Sequence, residues 1–138
     1  MTGRLEPTFE RLKREGRTGL VAFVTTGFPS VEATLEAVPA LVEGGADVIE
    51  LGVPFSDPIG EGPTIQRASF RALENGVTTE VCLDVLRKLR AGGLAAPVIL
   101  MGYYNTILAY GIDAYCRDAA EAGADGFIVV DLPPEESG

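Results

Sequence analysis

Histidine is absent from this 138-residue chain, so neither an imidazole base nor a histidine metal ligand can come from it. Lysine occurs only as Lys13 and Lys88, both on stretches that read as surface helices, so no Schiff-base lysine stands at a strand end. Cysteine is limited to Cys82 and Cys116, each within a predicted helix and neither with a second Cys or a His at ligand spacing. Both are expected to be buried free thiols. Positive charge is scarce: 11 Lys and Arg stand against 20 Asp and Glu, for a net charge of -9. Nucleic acid or an anionic membrane as main partner would need a basic face, so the charge disfavours both. No apolar run reaches the 18 or so residues of a membrane span, and the charged N-terminus MTGRLEPTFERLKREGR lacks the apolar core of a signal peptide. The expectation is a soluble, cytoplasmic protein, a compartment that suits reduced cysteines. Carboxylates and tyrosines remain as the groups able to move protons.

A hydrophobic content of 46% is enough to build a core within one domain. Phe9, Leu12 and Lys13 lie at helical spacing in a short amphipathic helix over residues 7–15. Leu20 to Thr25 reads as a strand and Ser30 as the N-cap of a helix with Val31, Leu35, Val38 and Val42 on one stripe. Pro39 should bend or break that helix. Val48 to Gly52 is a second strand. Helices follow from Pro63 or Thr64 to Asn75-Gly76 and from Thr78 or Thr79 to Gly92-Gly93. Val98 to Met101 is a third strand, followed by a short turn, a helix from about Ile112 to Ala122, and a fourth strand from Gly126 to Val130. Strands alternating with helices argue for a parallel sheet with right-handed crossovers.

The stretch VIELGVPFSDPIGEGPTIQ, Val48 to Gln66, organises the rest. A parallel strand buried on both faces should be a run of Val, Ile and Leu, yet Glu50 interrupts this one. Period-2 alternation puts Ile49 and Leu51 on one face and Glu50 on the other, away from the packed helices. The loop that follows adds Asp57 and Glu61, so acids meet at a strand's carboxyl end. Glu43-Gly44-Gly45-Ala46-Asp47 is echoed by Glu121-Ala122-Gly123-Ala124-Asp125, each copy preceding a strand. Such repetition suits a barrel of βα units. That barrel needs about 250 residues and eight strands. Because Gly138 follows directly on the fourth strand, the chain is expected to be one partial domain, 1–138. It would then be a fragment, or would complete itself with another chain, self-association of half barrels included.

Glu50-Leu51-Gly52-Val53-Pro54-Phe55-Ser56-Asp57-Pro58 with Gly62-Pro63-Thr64-Ile65-Gln66 resembles the α subunit family of tryptophan synthase. The likeness continues through Phe23-Val24-Thr25, Asn75-Gly76-Val77-Thr78, Met101 to Asn105, Gly111-Ile112-Asp113, Asp131-Leu132-Pro133 and Glu135-Glu136-Ser137, in the order of that family's first half. The resemblance implies the first half of a (β/α)8 barrel, a TIM barrel. It implies retro-aldol cleavage of indole-3-glycerol phosphate to indole and glyceraldehyde 3-phosphate, a lyase step in tryptophan biosynthesis. It places the catalytic acids on Glu50 and on Glu61, where the family has Asp, with Gly60 in place of the usual Ala. Phe23 and Met101 would line the indole pocket, with Tyr103 at its mouth. Pro54, Phe55, Asp57 and Asn105 would dock on the β subunit of an α2β2 assembly. No metal or cofactor is expected here, pyridoxal phosphate belonging to the β partner alone. The family's phosphate-binding glycines fall beyond Gly138. A non-catalytic interaction module that docks on a β-type partner is the alternative.

Overall fold

The computed structural model describes residues 3–136. The elements are α1 (Leu5–Glu15), β1 (Val21–Thr25), α2 (Val31–Glu43), β2 (Val48–Gly52), α3 (Pro63–Glu74), α4 (Thr79–Ala91), β3 (Val98–Gly102), α5 (Tyr104–Tyr110), α6 (Ile112–Ala122) and β4 (Gly126–Val129), with a 3-10 turn at Pro134–Glu136. Ser137 and Gly138, which entered the sequence reading, lie outside the described residues. The strands stand in chain order β1-β2-β3-β4, every neighbouring pair parallel. Parallel neighbours need a crossover, and the helices supply it.

Local chemistry explains most boundaries. Ser30 Oγ accepts the Ala33 N–H and Thr78 Oγ1 that of Val81, so each hydroxyl starts a helix. Pro39 does not break α2, which runs unbroken from Val31 to Glu43 with the proline ring on its exposed side. The segment expected as a turn before Ile112 is the seven-residue α5. The Tyr104 N–H at its start donates to Asp131 Oδ1, a cap supplied from beyond β4. The amphipathic reading of α1 holds at Leu12, which is buried, but Phe9 is 53% exposed. Cys82 is buried as expected and Cys116 is not. On α6 the buried stripe is Tyr115, Ala119 and Ala122, and Cys116 falls one residue off it.

Ile49, Leu51, Val98 and Leu100 form the outer face of the two central strands and are almost wholly sealed. They pack with Val38 of α2, Leu83, Leu86 and Leu89 of α4, and Tyr115 and Ala119 of α6. Each such large side chain contributes about 1.5–3 kcal/mol of burial. On the inner face the register aligns Phe23, Glu50, Ile99 and Gly126 in one row, and Thr25, Gly52, Met101 and Ile128 in the next.

The repeated Gly-Ala-Asp has one job in both copies. Asp47 Oδ2 accepts the Leu20 N–H at 2.9 Å and Asp125 Oδ2 accepts the Val98 N–H at 2.9 Å, each across 27 residues. Each aspartate thereby ties the start of its own strand to the start of the strand before it. Arg17 and Arg11 pair with Asp47, and Arg90 and Arg4 with Asp125.

Candidate active site

Glu50 is the half-buried member of a strand whose other four residues are buried. Burial pushes its carboxyl above the ordinary glutamate range, and the negative charge of Glu61 pushes in the same direction. The charge of the loop acid thus reaches the strand acid.

Several contacts fold the loop so that Glu61 comes back toward Glu50. The Val53 N–H donates to the Met101 carbonyl at 2.8 Å, which extends the β2–β3 pairing by one step. Phe55 is clamped by the buried Ser69 of α3, whose hydroxyl takes the Phe55 N–H at 2.9 Å and donates to its carbonyl at 3.0 Å. The Phe55 ring stacks on Tyr103 with centroids 5.1 Å apart. A turn follows, the Glu61 N–H donating to the Pro58 carbonyl at 3.0 Å. Gln66 Nε2 holds the Glu61 carbonyl at 2.8 Å, and the Gly60 N–H reaches the Tyr103 hydroxyl at 3.0 Å.

Phe23, Glu61, Met101 and Tyr103 line one narrow cleft with Pro54, Phe55 and Ser69. Its free volume of about 20 Å³ holds a single water-sized group. The Phe23 ring lies over Gly52 so tightly that a Cβ there would stand 2.7 Å from Phe23 Cζ. Larger hollows, about 520 Å³ between α2 and α4 and about 580 Å³ beside β4, lie in the helical layer away from both acids.

The residues expected to touch a partner differ in access. Pro54 is buried and Phe55 half-buried, whereas Asp57 and Asn105 are exposed. The Ser56 hydroxyl donates to Asp57 Oδ2 at 2.9 Å. Sequence reasoning missed Ser69 and Gln66 as supports of the loop, because nothing in a helical stretch marks which polar residue turns toward a neighbouring loop. Among the described residues no group of three acids or cysteines could hold a metal ion, and no helix is long and apolar enough to cross a membrane.

Comparison with known proteins bears on the family and the fold. The family described as tryptophan synthase alpha chain matches residues 9–138. The tryptophan synthase alpha chain of Chloroflexus aggregans is 53% identical over 134 residues, covering 97% of this chain and 50% of that protein. Tryptophan synthase of Saccharomyces cerevisiae is 51% identical over 137 residues, covering 99% of this chain and 19% of that one. Among solved structures, tryptophan synthase subunit alpha from Legionella pneumophila superposes with a TM-score of 0.96 at 47% identity, covering 99% of this chain and 52% of that chain. The chain thus spans about half the length of the curated alpha chains it matches, and its four strands with their helices are the first half of their TIM barrel. With profile, sequence and superposed backbone in agreement over nearly every residue, the chain belongs to the tryptophan synthase alpha chain family.

Proposed function

We propose that this chain provides the acid–base machinery for retro-aldol cleavage of indole-3-glycerol phosphate, with Glu50 at the reacting carbon and Glu61 at the ring nitrogen. The observation that carries this is the inner-face carboxyl of Glu50, raised by burial and by Glu61. A raised carboxyl moves toward the range in which one group can serve as both acid and base, as the two proton transfers need. Glu50 protonates C3 of the indole, and the ring becomes an imine-like cation that serves as the electron sink. The same carboxylate then takes the proton of the hydroxyl on the carbon attached to C3. The carbon–carbon bond breaks, its electron pair restores the indole, and the hydroxyl carbon leaves as the aldehyde of glyceraldehyde 3-phosphate. Glu50 has given one proton and taken one, so it ends as it began. Glu61 accepts the ring N–H while positive charge develops there. Phe23 and Met101 are assigned to the ring by the family resemblance, and Tyr103, expected at the mouth, is instead buried and backs the loop at Gly60.

The exposure of Asp57 and Asn105 supports a docking face for a β-type partner that carries pyridoxal phosphate. The same face favours a second reading, a module that binds such a partner without turnover. Indole release from indole-3-glycerol phosphate by the purified chain, with and without a tryptophan synthase β chain, tests both. Release that vanishes in Glu50→Gln supports the lyase reading, and release unchanged in that variant overturns it. Partner binding with no release under any condition leaves only the module.

A further inference from the structure

Gly60 is held by a side chain 43 residues away, and that side chain is itself held rigidly. Tyr103 is 4% exposed, its ring stacked on Phe55, which Ser69 clamps from α3. Its carbonyl receives the Thr106 hydroxyl at 2.8 Å, so its backbone is anchored as well. The hydroxyl of this fixed ring accepts the Gly60 N–H, one residue before Glu61. Close approach depends on the missing side chain at 60. A Cβ there would stand 3.1 Å from the Tyr103 hydroxyl and 3.1 Å from Val130 Cγ1, tighter than ordinary contact on both sides. The Glu61 carbonyl is tied separately to Gln66. With its preceding amide on Tyr103 and its carbonyl on α3, the Glu61 backbone has little freedom left.

We propose that Tyr103 is a positioning residue, a latch whose hydroxyl takes the Gly60 N–H and so sets where the Glu61 carboxylate stands relative to Glu50. Gly60 is the matching half of the latch, because a Cβ there would push the tyrosine hydroxyl and Val130 back by a few tenths of an ångström. The longer Glu61 side chain is thus carried by a backbone drawn toward the β3 side of the cleft. The inference rests on Glu50 and Glu61 being the working pair. Its test is read without substrate, so a failed latch and a failed reaction assignment show separately.

The experiment follows the side-chain carboxyl carbon of Glu50 by 13C NMR through a pH titration of the chain and of Tyr103→Phe, Glu61→Gln and their double variant. Phenylalanine keeps the stack on Phe55 and removes only the hydroxyl, so the fold is preserved. Glu61→Gln is expected to lower the Glu50 midpoint by deleting a like charge. Tyr103→Phe is expected to lower it in the same sense, because the released loop carries Glu61 away. The double variant is expected to match Glu61→Gln alone. In parallel, the Gly60 amide is expected to exchange with solvent faster in Tyr103→Phe, and in Gly60→Ala the residue-60 amide likewise. A Glu50 midpoint that Tyr103→Phe leaves in place would overturn the latch. So would a Tyr103→Phe shift that persists in full on the Glu61→Gln background, since Tyr103 would then act on Glu50 directly.

Discussion

Asp47 and Asp125 occupy matching places in the repeat, yet replacing each with alanine is expected to cost different amounts. Both variants orphan a strand-leading N–H, Leu20 in one and Val98 in the other, at about 1–3 kcal/mol. The arginines separate them. Those on Asp47 have side chains 47% and 48% exposed, so on losing the carboxylate they return to water. Arg90 on Asp125 is only 12% exposed. Burial and the nearby Arg4 already disfavour its charge, and Asp125 offsets them in part. Breaking a fully buried pair costs about 3–5 kcal/mol. Arg90 keeps the carbonyls of Leu94, Ala96 and Gly123, so about 2 kcal/mol is the better figure for this partly satisfied site. Asp125→Ala should therefore lose about 2 kcal/mol more than Asp47→Ala. With a urea m-value near 2 kcal/mol/M, that is a difference of about 1 M in midpoint. Urea unfolding at pH 7 followed by far-ultraviolet circular dichroism reads it. Equal losses, or a greater loss at Asp47, would refute the reasoning that burial of the arginine decides the cost.

Glu50→Gln should raise stability at neutral pH. A carboxyl whose folded value exceeds its unfolded one binds more protons in the native state, so its contribution falls as pH rises between the two. The gain from glutamine should fade below about pH 4.3, the ordinary glutamate value, and a loss of stability equal at pH 4 and pH 7 would contradict it. The opposite sign applies to Asp47, held below its usual range by the Arg17 and Leu20 hydrogen bonds. Its contribution is present above about pH 3.9 and is lost as pH falls through the lower folded value, so Asp47→Asn should flatten the acid limb of a stability profile. Gly27 has a φ of +87°, and a Cβ there would run into Val77 Cγ2. Gly27→Ala should cost about 1–2 kcal/mol for the backbone and about 1–3 for the clash, and adding Val77→Ala should return only the second part. A thermal melt in which the second change rescues nothing would sink that account.

The order of strands and helices was legible because each element carries its own period and its own punctuation. Glu50 was legible for a related reason, since a carboxylate inside Val-Ile-Leu is a local contradiction. Glu61 took its role from family resemblance alone, because an acid in a loop rich in glycine and proline has many ordinary explanations. The helix α5 was missed because its cap, Asp131, lies 27 residues beyond Tyr104 and because a seven-residue segment offers no stripe to read. Phe9 and Cys116 were misplaced because one residue of helical rotation separates the buried side from the wet one. The pairing of Tyr103 with Gly60 leaves no trace in the sequence, since its acceptor is a side chain and its donor is backbone.

The inner-face row of β2 also bears on how the sheet chooses its alignment. A slip of one residue in this strand would turn Ile49 and Leu51 inward and carry Glu50 into the layer of Leu83, Leu86 and Val38. An unpaired carboxylate buried there would cost several kcal/mol, far more than a misaligned leucine. The acid proposed for proton transfer thus also selects the register of the sheet, because the shifted alignment would strand its charge among leucines.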